Sequence, residues 1–379
     1  MQTLGIIAFV VALLTSVMFH ELGHFLTARK FGMRVSEFFV GFGRRIWSIT
    51  RGETEYGIKA IPAGGYCRIE GMTPTDVMPK GEEDRAFIKA TSGRKLIVLG
   101  AGSFAHFLLG FLLIFSIFFA VGYTTITPVI SEIKAGSAAA SSGFKAGDKI
   151  ISINGAEVTQ WSKDAAKINE SKGAVMHFVV LRNGSKVAID AAPLFNKDAN
   201  RYMLGVVTAL GTERDGFLKS TNESSKATWS LTKESVKSLI AIPSKVPQLF
   251  RQTFFHEKRD PNGLVGVVGA ARASGQAVGS SKLNNDERLA TFILLIASLN
   301  IFVGLFNLLP ILPLDGGHMA VAIADEVRAL YARIRRRARP APIDVNVLTP
   351  VTGVVVILLG ILTLLLVVAD IINPVSLNL

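Results

Sequence analysis

Four long apolar stretches limit the folds open to this chain of 379 residues. A helix needs roughly 20 apolar residues to cross about 30 Å of hydrocarbon, and each stretch approaches or exceeds that length. Only 18% of the residues are charged, which suits a membrane protein better than a soluble enzyme. We therefore predict a polytopic α-helical membrane protein with about four transmembrane helices. The stretches run approximately from Leu4 to Thr27, Leu96 to Tyr123, Leu289 to Leu312 and Val351 to Ile371.

The net charge of +12 includes clusters of basic residues in the two connections that follow the first and third apolar stretches. Basic residues in such connections stay in the cytoplasm, so both connections are expected to face inward. The two termini and the long segment between the second and third spans then face outward. We expect the lipid bilayer, and not nucleic acid, as a partner. The clusters are Arg29, Lys30, Arg34, Arg44, Arg45 and Arg51 in the first connection and Arg333, Arg335, Arg336, Arg337 and Arg339 in the second.

The first span ends in the sequence His20-Glu21-Leu22-Gly23-His24. Side chains four residues apart lie on one face of a helix, so His20 and His24 can bind the same metal ion. Glu21 projects about 100° away from His20, which suits a general base beside the metal better than a ligand. Neutral imidazoles are common zinc ligands, and ionisable residues within a membrane are usually functional. The alternative is a pair of histidines that only pack against or cap the helix.

A carboxylate that can complete the metal site follows the third span, at Asp315. Catalytic zinc typically has three protein ligands and one open position. Pro310 and Pro313 break the helix before this aspartate, which frees the backbone to turn the carboxylate towards the metal. Asn307 is placed to hydrogen-bond a substrate backbone or a developing oxyanion. Asn300, on the same helix face, fits better as a hydrogen-bonding group between helices.

Between the first two spans, the sequence predicts a small hairpin sheet that dips towards the metal site. Val35 to Phe42 and Tyr56 to Ile61 are short strands rich in apolar and aromatic residues, and a turn at Pro62-Ala63-Gly64-Gly65-Tyr66 follows them. The edge of such a sheet can pair with an extended peptide, so Gly64 and Gly65 are candidate substrate-binding residues. A plain surface hairpin is the alternative.

The outward segment has a different pattern, in which the sequence Gly143-Phe144-Lys145-Ala146-Gly147-Asp148 leads into a strand, Lys149 to Ile153, and an Asn-Gly turn. This segment resembles a PDZ domain, a small α+β fold that grips peptide ends or extended strands. A spacer that only blocks access to the membrane is the alternative. The other predicted elements are a helix from Asp164 to Ser171 and strands at Ala174 to Arg182, Lys186 to Ala191 and Met203 to Val207.

Two separated motifs carry a resemblance to a known family. The HELGH sequence on the first span, and Asn307-Leu308-Leu309-Pro310-Ile311-Leu312-Pro313-Leu314-Asp315-Gly316-Gly317 after a later one, resemble the site-2 protease family of intramembrane zinc metalloproteases, in its bacterial branch with a single PDZ domain. The resemblance runs from the first span to at least Gly317. It implies Zn²⁺ as cofactor, with His20, His24 and Asp315 as ligands, Glu21 as general base and Asn307 in contact with substrate.

The resemblance also implies a substrate and a setting. Members of the family cut single-span membrane proteins, often anti-sigma factors already trimmed by an earlier protease, in regulated intramembrane proteolysis. We therefore expect a multi-pass enzyme of a bacterial inner membrane, with its active site near the cytoplasmic side and its PDZ domain outside, where that domain binds a peptide or substrate segment. The expected boundaries are 1–28 for the first span, 29–94 for the hairpin region, 95–123 for the second span, 124–212 for the PDZ domain, 213–287 for an outer linker partly on the membrane surface, 288–313 for the third span, 314–349 for a basic cytoplasmic loop and 350–373 for the fourth span.

The second span departs from the family pattern. Ser103 and His106 stand where relatives commonly have proline and asparagine. His106 fits better as an interhelical hydrogen-bonding group than as a fourth metal contact or a proton relay. The rival functions are a membrane ion transporter and a non-catalytic PDZ scaffold that use the same histidines and aspartate. A metal assay combined with a cleavage assay separates both rivals from a protease.

Overall fold

Four helices of the described chain carry the apolar stretches of the sequence. The computed structural model describes residues 1–73, 76–159, 161–255, 257–260 and 263–375. Within these ranges, four helices are long and apolar enough to cross a membrane, which confirms the predicted multi-pass membrane protein. All four belong to a unit formed by Met1–Val121 and Asp215–Leu379, and Gly122–Arg214 forms a second unit. The spans are Gln2–Lys30, Ser92–Val121, Asn285–Asn307 and Val345–Ile372.

A bent antiparallel sheet follows the first helix, α1 (Gln2–Lys30). Its strands β1 (Val35–Arg51) and β2 (Thr54–Ile69) are longer than the sequence predicted, because each one bends and continues. Phe39 pairs with both Gly57 and Tyr66, so the first half of β1 lies between the two halves of β2. The second half of β2 is therefore an edge of the sheet.

The second span packs against α1 and the sheet. It consists of α2 (Ser92–Ser116) and a π-helical extension, Ile117–Val121, and two 3₁₀ turns, Glu83–Arg85 and Phe87–Lys89, precede it. One apolar core joins the three elements, with Phe25 and Ala28 from α1, Val35 and Ile69 from the strands, and Val98 from α2. This core holds the end of the first span between the sheet and the second span.

The second unit is a small antiparallel α+β fold. Its elements are β3 (Tyr123–Ile133), α3 (Ala138–Ser141), β4 (Lys149–Ile153), β5 (Ala156–Glu157), α4 (Trp161–Asp164), α5 (Ala166–Glu170), β6 (Met176–Arg182), β7 (Ser185–Ala191), β8 (Leu194–Asn196), β9 (Arg201–Met203) and β10 (Val206–Glu213). The predicted strand Lys149–Ile153 is confirmed, and Asn154 and Gly155 turn the chain at φ +49° and +81°. In place of the single helix predicted from Asp164 to Ser171, the structure has two short helices, and the first begins before Asp164. The Asp164 carboxylate accepts a hydrogen bond from the N–H of Thr159, which precedes this first helix. The main sheet has the strand order β10-β3-β4-β6-β7, with β5 beside β4, and β8 and β9 form a separate pair.

The rest of the first unit is helical, including two segments that the sequence analysis treated as a linker and a loop. Most of 213–287 forms helices, and the first of them continues through Pro243 and Pro247. Much of 314–349 is also a helix. The sequence analysis assigned no helices there, because these helices are amphipathic and too polar to be detected as spans. The helices are α6 (Phe217–Phe254), α7 (Val267–Gly279), α8 (Asn285–Asn307), α9 (Asp315–Ile334) and α10 (Thr349–Ile372), with a 3₁₀ turn at Val345–Leu348.

Glycines let α1, α2 and α8 approach each other closely. A Cβ atom on Gly23 of α1 would lie 2.4 Å from the carbonyl oxygen of Ala101, and one on Gly304 of α8 would lie 2.9 Å from Cβ of His106. Small residues allow such close helix packing within a membrane. The three spans therefore meet at the depth of His20 and His24.

Candidate functional site

Two histidines of the first span and one distant aspartate bring three metal-binding atoms together. Nε2 of His20 lies 3.1 Å from Nε2 of His24. Oδ2 of Asp315 lies 3.2 Å and 3.3 Å from these two nitrogens. Both histidines are buried, and Oδ2 of Asp315 is buried without a hydrogen-bond partner among the described residues. The three atoms form a nearly equilateral triangle that can share one cation.

The surrounding backbone sets the tautomer of His24. Its Nδ1 lies 2.8 Å from the carbonyl oxygen of Val98 in α2. A carbonyl oxygen only accepts hydrogen bonds, so Nδ1 must carry the proton. The lone pair of the neutral ring is then on Nε2, the atom that faces His20 and Asp315. This contact is a typical outer-sphere support for a metal-binding histidine.

A tight turn between α8 and α9 brings Asp315 to the histidines. The helix α8 ends at Asn307, and α9 begins at Asp315 itself. The two glycines that follow the aspartate pack directly on the turn. A Cβ atom on Gly316 would lie 2.3 Å from the carbonyl oxygen of Leu308, and one on Gly317 would lie 2.5 Å from the nitrogen of Leu312. Larger residues at these positions would push α9, and Asp315 with it, away from the histidines.

Gly102 of α2 forms the wall of the site on the side of the second span. A Cβ atom at this position would lie 2.3 Å from Nε2 of His24 and 2.5 Å from Cε1 of His20. Both distances are far below ordinary contact, so the histidine rings can occupy their positions only because residue 102 has no side chain.

Glu21 lies beside the triangle of ligand atoms and is not part of it. The backbone N–H of Cys67 in β2 faces its carboxylate. A Cβ atom on Gly65 would lie 3.6 Å from Cγ of Glu21, so the edge half of β2 forms the wall on this side. The structure thus places Gly65 next to Glu21. Gly64 faces Phe42 of the sheet instead, because a Cβ atom on Gly64 would lie 3.0 Å from Cε2 of Phe42.

Asn307 stands at the end of α8, before the turn that carries Asp315. Its side chain is half-buried and makes no hydrogen bond to the described residues. The amide is therefore available to another molecule, whereas the amide of Asn300 is fully used within the protein.

His106 belongs to a hydrogen-bond network that joins three spans. Its Nδ1 lies 2.9 Å from Oδ1 of Asn300, whose amide nitrogen donates to Oγ of Ser16 at 3.0 Å. The His106 ring is 5.0 Å from the ring of His20, between centroids. His106 is outside the group of ligand atoms, and the network gives it the interhelical role that the sequence favoured.

Sequence reasoning missed the contacts made by backbone atoms. The carbonyl group of Val98 and the N–H of Cys67 leave no trace in residue type. Gly102 had a weak signal, since the small residues Ala101-Gly102-Ser103 in a span indicate close helix packing.

Known proteins resemble this chain along most of its length. Residues 8–358 match peptidase family M50. The zinc metalloprotease Rip1 of Mycobacterium tuberculosis H37Rv is 34% identical over 406 residues, which covers 98% of both chains. Rip1 of Mycolicibacterium smegmatis is 32% identical over 408 residues, with the same coverage, and a putative zinc metalloprotease of Brucella suis is 29% identical over 342 residues, which covers 85% of this chain and 86% of the relative. The chain therefore belongs to peptidase family M50, the site-2 protease family.

Proposed function

We propose that this chain is an intramembrane zinc metalloprotease that hydrolyses a peptide bond in or near the transmembrane segment of single-span membrane proteins, such as a pre-trimmed anti-sigma factor. The observation that carries the proposal is the triangle of His20, His24 and Asp315 in the membrane unit, with Glu21 beside it. Family membership agrees with this chemistry.

The three ligand atoms fit Zn²⁺ in kind and in spacing. Zinc bonds to nitrogen and oxygen ligands are about 2.0–2.1 Å long, so tetrahedral ligands lie about 3.3 Å from each other. The observed separations of 3.1, 3.2 and 3.3 Å are close to that value. Three protein ligands leave one position open, as in catalytic zinc sites.

In the proposed mechanism, Glu21 moves the proton. Zinc held by His20, His24 and Asp315 would polarise the scissile carbonyl and lower the pKa of a water molecule towards about 7. The Glu21 carboxylate, which faces the N–H of Cys67, would accept the proton of the attacking water and return it to the leaving nitrogen. The amide of Asn307 is proposed to donate a hydrogen bond to the substrate carbonyl, since it has no partner among the described residues.

The edge half of β2 is proposed to hold the substrate in an extended form. A transmembrane helix hides its peptide bonds within internal hydrogen bonds, so it must unwind before hydrolysis. Pairing with the edge beside Gly65 would replace the hydrogen bonds that the substrate loses. Gly65 is next to Glu21, so a strand bound there passes the general base.

The wall that Gly102 forms beside the zinc site provides a first test of the proposal. Gly102→Ala should weaken zinc binding about 10- to 100-fold, the range observed when outer-sphere support is lost. The added methyl group would overlap both histidine rings. The measurement is the zinc dissociation constant, by competition with a chelator.

Gly93→Ala is the matched control, because it lies on the same helix and a Cβ atom there meets nothing within 4 Å. It should bind zinc as the wild type does. Equal zinc affinity of the two variants would show that Gly102 does not define the site.

The unit Gly122–Arg214 is proposed to be the PDZ domain, on the outer face of the membrane. A groove of about 440 Å³ runs between the short helices and the edge strand β10, and its walls include Ile168, Leu204, Val206 and Thr208. An extended peptide can add to this edge in the manner of PDZ ligands. The outer position follows from the basic connections, which the positive-inside rule assigns to the cytoplasm together with the zinc site.

Removing this unit tests whether it excludes substrates with large outer domains. Tyr123 pairs with Glu213 across β3 and β10, so the unit begins and ends side by side. Replacement of residues 122–214 by a short flexible bridge should allow cleavage of a substrate that retains its outer domain. A cut at Pro128 and Thr212 would instead leave half of β3 unpaired.

The measurement compares cleavage of the long and the trimmed substrate by the full-length and the shortened enzyme in cells. Glu21→Gln in the shortened enzyme is the control, because cleavage that it abolishes must be due to this enzyme and not to another protease. Continued rejection of the long substrate by a folded shortened enzyme would exclude a gating role. Loss of cleavage of the trimmed substrate would indicate recruitment instead.

Peptidase function itself is tested by reconstitution. The purified enzyme and a labelled single-span substrate are placed in the same vesicles, and products are mapped by mass spectrometry. We expect a cut in or near the span. A cut confined to the soluble part of the substrate would contradict an intramembrane protease.

A further inference from the structure

The helix α9 presents an apolar stripe that no described residue covers. Its five members are between 49% and 71% exposed. At about 100° per residue they fall within an arc of about 100°, so they form one face. The helix does not qualify as a membrane span, and Asp325, Glu326 and Arg328 lie in its middle. The stripe consists of Ile323, Val327, Leu330, Tyr331 and Ile334.

These properties are those of a helix that lies in the membrane interface. Such helices bury an apolar stripe at the acyl boundary and hold basic residues at its margins. Arg333 and Arg335 flank the stripe, and Arg336, Arg337 and Arg339 follow the helix. Long basic side chains reach from such positions to the lipid phosphates.

A cavity of about 830 Å³ lies between α9 and the start of α2. Its apolar walls include Ile88, Leu96 and Leu330, and three cations line it: Lys89, Lys95 and Arg339. Since α2 is a membrane span that begins at Ser92, the cavity lies at the level where that span enters the bilayer.

The acidic groups of the cavity are already engaged. Glu326 accepts hydrogen bonds from Ser92 and Arg339, and Asp325 accepts from the backbone of Ile343 and from Arg328. The side-chain ammonium groups of Lys89 and Lys95 make no ion pair or hydrogen bond with the described residues, so the cavity retains positive charge beside the pair of Arg339 and Glu326.

We infer that this cavity binds one anionic phospholipid of the adjoining leaflet, with its phosphate among Lys89, Lys95 and Arg339 and an acyl chain along the exposed stripe of α9. The cations match the charge of the headgroup, and the apolar walls match the chain. A soluble anion would use the cations alone.

Bound lipid also bears on the catalytic site. Asp315 is the first residue of α9, so a lipid that fixes α9 fixes the helix that carries the proposed zinc ligand. This consequence rests on the proposed function, whereas the lipid binding does not. A zinc-free or inactive protein would still bind the lipid.

The test measures retention of phosphatidylglycerol by the full chain. Lipid is titrated into detergent-solubilised protein, and bound lipid is counted by native mass spectrometry. The double variant Lys95→Gln/Arg339→Gln should bind phosphatidylglycerol roughly 25-fold more weakly, at about fivefold per cation. Phosphatidylcholine should bind weakly to both proteins, and excess inorganic phosphate should not displace phosphatidylglycerol.

Arg51→Gln/Lys80→Gln is the matched control, since it removes two exposed cations from the connection between the first two spans. It should retain the lipid as the wild type does. Equal retention by both double variants, equal binding of phosphatidylcholine, or displacement by phosphate would each overturn the inference.

A second measurement does not depend on the charge variants. Nitroxide labels at Leu330 and Arg328, on opposite sides of α9, are compared in vesicles that contain phosphatidylglycerol, with Cys67→Ala to remove the chain's one natural thiol. The label at position 330 should be accessible to oxygen and protected from a polar nickel reagent. The label at position 328 should be accessible to the nickel reagent and less accessible to oxygen. Equal access of the nickel reagent to both labels would show that α9 is not in the interface.

Discussion

Glu21→Gln should lower the rate of substrate cleavage about 10²- to 10⁴-fold and leave zinc binding unchanged. Glutamine has the size and shape of glutamate, and its side-chain oxygen can still face the N–H of Cys67. An amide cannot take a proton from water at neutral pH, so only the proton transfer is lost. Cleavage rate and zinc content are measured on the same preparation of reconstituted enzyme.

Glu55→Gln is the control, because Glu55 pairs with Arg45 in the sheet and is not part of the site. It should cleave substrate at the rate of the wild type. If Glu21→Gln lost zinc while His20→Ala retained it, the roles of base and ligand would have to be exchanged.

Asp315→Ala should lower both zinc affinity and activity. The expected loss exceeds the range of about 10- to 100-fold that follows removal of an outer-sphere partner. The change removes the oxygen that lies 3.2 and 3.3 Å from the two histidine nitrogens. Two imidazoles alone leave the ion short of the three protein ligands of a catalytic site. Asp315→Asn should retain part of the metal and be far slower than the wild type.

Asp344→Ala removes a carboxylate that only caps a 3₁₀ turn, and it should bind zinc normally. The readout is the zinc dissociation constant of each folded variant. If Asp315→Ala bound zinc as tightly as the wild type, the third ligand would lie elsewhere, and His106, whose ring is 5.0 Å from that of His20, would be the first candidate.

The elements with strong local patterns could be predicted from the sequence. The four spans follow from apolar length alone, and the spacing of His20 and His24 follows from the period of a helix. The strand Lys149–Ile153 ends at an Asn-Gly turn, which is a strong local signal. The pairing of Asp315 with the histidines was suggested by ligand number and by the family motif, because nothing in residue spacing connects two segments so far apart.

Features that depend on tertiary packing could not be predicted. The length of β1 and β2 depends on each half finding a partner across the bend, which a strand pattern does not reveal. The helices α6 and α9 have mixed polarity, so they lacked the signal of a span. The contacts of Val98 and Cys67 with the site use backbone atoms, and their side chains carry no information about them.

The central claim is that His20, His24 and Asp315 bind one zinc ion. X-ray absorption spectroscopy at the zinc edge of the loaded full-length protein measures this directly. We expect two imidazole nitrogens at about 2.0–2.1 Å and oxygen ligands at about 2.0–2.2 Å, with one oxygen lost in Asp315→Ala. A sulfur ligand, a third imidazole in the wild type, or a spectrum of Asp315→Ala identical to that of the wild type would contradict the proposed site.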